Sequence, residues 1–153
     1  MLLILQARMS SSRLPGKVLK KINNKPMLFR IIQRLKKSKK ITKILVATSK
    51  HPKDRKIINF CKKQKIHYYA GDLKDVSKRF KDYLELKKNK YNCFIRICAD
   101  SPLIDYKLAD KLINIFKRKK PEILTNVFPR TFPIGQSIEI LDSSTYLKNQ
   151  KKF

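Results

Sequence analysis

The chain of 153 residues has little glycine, little histidine and little acid: 3 Gly, 2 His and 11 Asp plus Glu stand against 38 Lys plus Arg. Its three cysteines, Cys61, Cys93 and Cys98, are an odd number without Cys-x-x-Cys spacing. A disulfide framework and a zinc site are therefore excluded as organising features. Cys93 and Cys98 stand in an apolar run and read as small core residues. No apolar run approaches the roughly 18 residues that a membrane-spanning helix needs. Leu2 to Leu5 is too short for a signal-peptide core and lacks a basic region before it, so the expected location is the cytoplasm. Neither Gly-x-Gly-x-x-Gly nor Gly-x-x-x-x-Gly-Lys-Ser/Thr occurs, which removes support from dinucleotide-dependent oxidoreductases and P-loop ATPases. There is no aromatic RNA-binding signature, helix-turn-helix pattern, internal repeat or linker.

What is present is a globular chain, 42% hydrophobic, of one domain's length. Its formal charge of +27 suggests polyanion partners: nucleic acid, anionic membrane or phosphorylated substrates. The lysines, however, are spread over every helical segment. The densest runs, Lys36 to Lys40 and Lys117 to Lys120, fall where helices end, where cations complement the helix dipole. A solvated basic surface accounts for most of the excess.

Periodicity divides the chain into alternating strands and helices. Met1 to Leu5 reads as a first strand, and Val18 to Ile22 as a short extended piece. Asn23 to Pro26 reads as a turn, with Pro26 at a first helical position. Met27, Ile31 and Leu35 mark a first helix, Lys43 to Thr48 a second strand, and Pro52 the opening of a second helix. Ile66 to Ala70 forms a third strand, followed by a helix carrying Val76, Phe80, Tyr83 and Leu84. Cys93 to Cys98 is a fourth strand, after which Asp105 caps another helix. Glu122 to Val127 and Ser137 to Leu141 are the last strands, with a proline-containing loop between them. Asp142 caps a final short helix.

Near-continuous apolar strands alternating with helices predict a Rossmann-like three-layer α/β/α fold around a mostly parallel sheet. In such a sheet, ligands bind beyond the C-terminal strand ends where strand order reverses. With the order 3-2-1-4, the loop after strand one and Asp100 after strand four face each other.

That first loop, Gln6-Ala7-Arg8-Met9-Ser10-Ser11-Ser12-Arg13-Leu14-Pro15-Gly16-Lys17, carries the chemistry. Hydroxyl and N–H donors from Ser10, Ser11 and Ser12, with charge from Arg8, Arg13 and Lys17, suit a triphosphate. Asp100 alone at a strand end suits Mg²⁺, which takes one or two carboxylates and completes its shell with phosphate oxygens. An Asp-Ser-Pro turn explains the same residue structurally. Together the two loops imply nucleotidyl transfer.

The loop strongly resembles the signature of the cytidylyltransferases that act on sugar acids, among them the acylneuraminate and 3-deoxy-manno-octulosonate enzymes. It is most similar to the SpsF-type spore coat polysaccharide branch. Asn24-Lys25-Pro26-Met27-Leu28, Val46-Ala47-Thr48-Ser49, Asp75-Val76 with Arg79, and Arg96-Ile97-Cys98-Ala99-Asp100-Ser101-Pro102-Leu103-Ile104 follow in the same order. Asn126-Val127 and Pro129-Arg130-Thr131-Phe132-Pro133 complete the set. The resemblance implies a nucleotide-diphospho-sugar transferase fold, Mg²⁺ dependence, and transfer of CMP from CTP to a sugar or sugar acid with release of pyrophosphate. It implies that Arg8, Arg13 and Lys17 act at the triphosphate, and that Ala7, Ser10, Ser11 and Ser12 line the same nucleotide site. Thr48, Ser49 and Arg79 fall on the nucleotide side, Arg130 and Glu139 on the acceptor side, and Asp100 at the metal. Arg79 also reads as a solvated helix residue, and Glu139 as an exposed strand end.

The departures from the pattern are Ser10, where the branch has Gly, and Ser137, where it has Asp. The family also implies a longer chain, so residues 1–153 are expected to form a single nucleotidyltransferase-like domain without the family's C-terminal third. A homodimer is expected of the full-length form, and neither a specific nucleic acid nor a membrane is expected as a partner. The competing readings are a catalytically silent remnant and a basic nucleic-acid-binding module.

Overall fold

The computed structural model of the protein describes residues 1–88, 90–130 and 132–150. Its elements are β1 (Leu2–Gln6), β2 (Lys21–Ile22), β3 (Lys25–Pro26), α1 (Met27–Leu35), β4 (Lys43–Ser49), α2 (Arg55–Lys63) and β5 (His67–Gly71). After these come α3 (Val76–Leu86), β6 (Cys93–Cys98), α4 (Tyr106–Lys119), β7 (Ile123–Thr125), β8 (Glu139–Asp142) and α5 (Ser143–Lys148). The main sheet has six strands in the order β5-β4-β1-β6-β8-β7. The first four are parallel, which is the expected 3-2-1-4 order. The last two run antiparallel, with β8 inserted between β6 and β7.

β1 is central because its four leucine and isoleucine side chains can all be buried. Leu2 and Ile4 face α3 and α5, while Leu3 and Leu5 face the opposite layer, and all four are fully buried. This is the two-faced burial that a continuous apolar strand signals. The larger core gathers Leu28, Ile31, Ile32 and Leu35 of α1 with Ile57, Cys61, Ile113 and Phe116. The smaller one stacks Phe94 edge-on between Phe80 and Tyr146, at centroid distances of 6.3 and 5.1 Å.

Caps fall largely where the residue types place them. Asp105 accepts from the Lys107 amide, and Asp142 accepts from the Thr145 amide. Two local expectations are corrected. Lys17–Leu19 is a 3₁₀ turn and not part of an extended run; the extended piece is only Lys21–Ile22, pairing back on Lys25–Pro26. Pro26 is the residue before the helix, with extended ψ, and not its first turn. Ser10 is not among the residues of positive φ, so serine in place of glycine carries no left-handed strain there. Among the described residues no helix is long and apolar enough to cross a membrane.

Candidate active site

The parallel register brings two loops to one level. Gln6, the last residue of β1, pairs with Ala47 on one side and Cys98 on the other. The ladder then closes with Ala7 N–H donating to Ala47 O at 3.0 Å and Ala99 N–H donating to Gln6 O at 2.8 Å. Beyond these bonds both chains leave the sheet at the switch point, as the doubly wound arrangement requires.

The loop after β1 is built around Met9. The Met9 carbonyl accepts from Ser11 N–H at 3.0 Å and from Gly16 N–H at 2.8 Å, which folds residues 9–16 into a closed turn. Gly16 sits at φ 72°, and a Cβ there would meet the Met9 methyl at 3.1 Å. Only glycine takes that conformation without strain. The Met9 amide is fixed from outside the loop, donating to Asp54 Oδ1 at 2.7 Å.

A cavity of about 200 Å³ lies between this loop and the end of β6. Arg8, Arg13 and Lys17 supply its cations, Ser11 and Ser12 its hydroxyls, and Asp100 its carboxylate. Lys17 Nζ donates to Asp100 Oδ2 at 2.6 Å, joining the two loops directly. Their side chains are 24% and 39% exposed, so water and ligand reach both partners. An ion pair this open contributes little to stability and can be exchanged for a ligand's charges. The cations, hydroxyls and carboxylate that the sequence pattern placed together do share one cavity.

The remaining expected residues divide into two groups. Ala7 is buried in the core, and Ser10 lies on the exposed rim of the loop, outside the cavity lining. Thr48 is buried, and its hydroxyl has no hydrogen-bond partner among the described residues. Ser49 is also fully buried; its hydroxyl donates to Asp54 Oδ2 and accepts from the His51 amide. Its role in this structure is to hold Asp54. Arg79, read either as nucleotide-side or as a solvated helix residue, is the largest fully buried side chain among the described residues and does not line the cavity. Its Nε and Nη2 donate to Asp72 O at 2.9 and 2.6 Å, while Nη1 is buried without a partner among the described residues. Burial pulls the Arg79 guanidinium below its ordinary value; Asp54 and Asp72 oppose that shift, and Arg8 adds to it.

On the other side of β6, Arg96 Nε meets Glu139 Oε2 at 3.2 Å across the β6–β8 ladder. Arg130 is exposed and reaches Ser137 Oγ at 3.4 Å, the position where acid was expected. Thr131 lies outside the described residues. Three residues that the pattern did not single out complete the site. Gln6 and Cys98 line the cavity, and Asp54 anchors its loop. Cys98 is exposed there and is not a core residue; β1–β6 pairing alone would have placed it opposite Gln6. Desolvation first, and then the Asp100 carboxylate, push its thiol above the ordinary range.

Among the described residues no group of three or more His, Cys, Asp or Glu side chains could hold a metal ion by itself. The donor set nevertheless fits Mg²⁺ carried on a substrate. Asp100 offers one hard oxygen ligand beside cations suited to phosphate, and Mg²⁺ draws its other ligands from phosphate and water.

A family model described as cytidylyltransferase matches residues 2–151. The spore coat polysaccharide biosynthesis protein SpsF of Bacillus subtilis is 34% identical over 116 residues, 73% of this chain and 48% of its own length. The 3-deoxy-manno-octulosonate cytidylyltransferase of Fusobacterium nucleatum is 36% identical over 76% of this chain and 46% of its own. A solved cytidylyltransferase from Leptospira borgpetersenii superposes with a TM-score of 0.88 at 34% identity, covering 95% of this chain and 61% of that one. The chain spans about half the length of the curated relatives it matches.

Proposed function

The chain belongs to the cytidylyltransferase family, and from that premise we propose that it carries the donor half of a Mg²⁺-dependent transfer of CMP from CTP to a sugar acid, for surface glycan synthesis. One observation carries this reading: Arg8, Arg13, Lys17, two serines and Asp100 share one cavity at the switch point of the sheet. A nucleic-acid-binding surface would need neither the carboxylate nor the confined hydroxyls.

In this reading the triphosphate lies along residues 8–17. Ser11 and Ser12 donate hydroxyl bonds to its oxygens while Arg8 and Arg13 neutralise their charge. Lys17 exchanges Asp100 for a phosphate oxygen, and Asp100 is the residue that would hold Mg²⁺. The ion, when bound, supplies Lewis-acid polarisation of the phosphate oxygens. The acceptor oxygen forms its bond to the α-phosphorus as the bond to the pyrophosphate oxygen breaks, and the acceptor's proton passes to solvent. Lys17 stabilises the charge that builds on the phosphate oxygens in that step. Arg79, buried on α3 and bonded to the Asp72 carbonyl, would support the nucleotide side indirectly, through the end of β5. Arg130 and Glu139 would contact the acceptor.

The test is to mix the protein with Mg²⁺, each nucleoside triphosphate separately and a panel of sugar acids, and to follow pyrophosphate. Release with CTP and a sugar acid is expected. Absence of release from every mixture, together with tight polynucleotide binding that salt abolishes, would overturn the assignment.

A further inference from the structure

Asp54 lies outside the cavity, yet the loop that forms the cavity depends on it. It is 1% exposed, in the short 3₁₀ turn Pro52–Asp54 that leads into α2. A buried carboxylate needs its lone pairs filled, and Asp54 fills them with donors from two separate segments. Oδ1 accepts from the Met9 amide at 2.7 Å. Oδ2 accepts from the Ser49 amide at 3.3 Å and from the Ser49 hydroxyl. The Ser49 pair ties Asp54 to the end of β4, which is part of the sheet. The Met9 bond then links the end of β4 to the loop.

Met9 is the residue through which the loop closes, because its carbonyl receives both the Ser11 and the Gly16 amides. Holding the Met9 N–H anchors the Arg8–Met9 peptide, which enters the residue whose carbonyl closes the turn presenting Ser11, Ser12 and Arg13. The charges facing Asp54 fit this role. Buried Arg79 lies within its field from α3, and Arg8, one residue before Met9, acts on Arg79 as a like charge. A neutral residue at 54 would remove the negative charge that favours the buried Arg79 guanidinium and would give the Met9 amide a weaker acceptor.

We propose that Asp54 is the positioning residue of the phosphate-binding loop: its buried carboxylate anchors the backbone N–H of Met9, at the entry to the turn that closes on the Met9 carbonyl, and so the aim of Ser11, Ser12 and Arg13. The consequence for ligand binding rests on the nucleotide reading of that loop; the consequence for the loop itself does not.

The test combines amide hydrogen exchange with binding of CTP and of inorganic tripolyphosphate. In the unaltered chain the Met9 amide should be protected although it lies in a surface loop. Exchange there as fast as at Ser10, which is exposed, would overturn the proposal without any variant. In Asp54→Asn, exchange at Met9, Ser11 and Gly16 should rise together while α4 stays protected. The dissociation constants of both ligands should weaken by about tenfold, the scale of one hydrogen bond to a charged group. Ser38→Ala is the control, since it breaks another side chain-to-carboxylate contact, with Asp110, at the far end of the sheet. It should lower stability and leave both dissociation constants unchanged. Equal loss of affinity in the two variants at matched stability would reduce Asp54 to a general structural residue and overturn the proposal. Failure of the unaltered chain to bind either ligand would sink the nucleotide reading instead, and the exchange pattern would still decide the role of Asp54.

Discussion

Both ends of the parallel sheet are basic, but they are built differently. At the N-terminal ends of β4 and β5, Lys36, Lys43, Lys65 and His67 surround a cavity of about 390 Å³ floored by isoleucines. At the C-terminal ends the cavity is about half that size, and its cations share it with serine hydroxyls and a carboxylate. The lysines of the first cavity sit at the ends of regular elements, and the hydroxyl there, Thr42, bonds the N-terminal ammonium at 3.2 Å. The cations of the second sit on or beside a loop closed on Met9 and pinned by a buried carboxylate. A charge of +27 therefore says little about where a site is; hydroxyl and acid partners on an anchored loop say much more.

Removing cations at the two ends of the sheet should have very different consequences. Lys17→Ala should reduce turnover with CTP by about 100-fold, since removing a donor aimed at developing charge costs roughly 3 kcal/mol. The double variant Lys36→Ala/Lys65→Ala, with two cations gone from the opposite end, should change kcat/KM by no more than about twofold. Steady-state pyrophosphate release on the three proteins measures both. Comparable losses would mean that the overall field of the protein, and not the anchored loop, governs catalysis.

A smaller effect tests the anchoring itself. Gly16→Ala places a side chain at φ 72° and at 3.1 Å from the Met9 methyl. The left-handed conformation costs about 1–2 kcal/mol, which for a domain of this size is a fall in Tm of roughly 2–8 °C. Gly135→Ala is the matched control: its φ is also positive, at 93°, but its Cβ would meet nothing within 4 Å. Both should lose stability in thermal melts, and only Gly16→Ala should also weaken CTP binding.

The strand order and the shared cavity were legible in the sequence because both follow from local signals. Continuous apolar strands separated by helices require a parallel, doubly covered sheet, and such a sheet fixes where loops meet. The antiparallel insertion of β8 between β6 and β7 was not legible, since a short apolar strand has the same pattern in either direction. Nor was the burial of Arg79. Its place is made by what is missing at Gly71, where a Cβ would come within 2.8 Å of Arg79 Cγ. That contact joins β5 to α3, and no period within either element reveals it. Ser49 misled for a related reason: a hydroxyl at a strand end looks available for ligand until Asp54, five residues on, folds back over it.

Cys93 begins β6 and Cys98 ends it, so one thiol reports on each end of the sheet. Both thiols are held above the ordinary range, first by desolvation; Asp100 adds to the effect at Cys98, and Asp142 opposes the N-terminal ammonium at Cys93. The thiolate is the reactive form, so a raised pKa leaves less of it at any given pH. Alkylation of both should be slow near neutrality and should accelerate as pH rises past the usual thiol range. Asp100→Asn removes a negative charge beside Cys98 alone, which lowers its pKa and should speed its alkylation a few-fold at pH ~8 while Cys93 is unmoved. CTP should shield Cys98 and not Cys93. Mass spectrometry of the modified chain reads both sites at once, with Cys61, buried and pushed up to about 12, as the unreactive reference. Equal protection of Cys93 and Cys98 by CTP would show that the nucleotide does not distinguish the two ends.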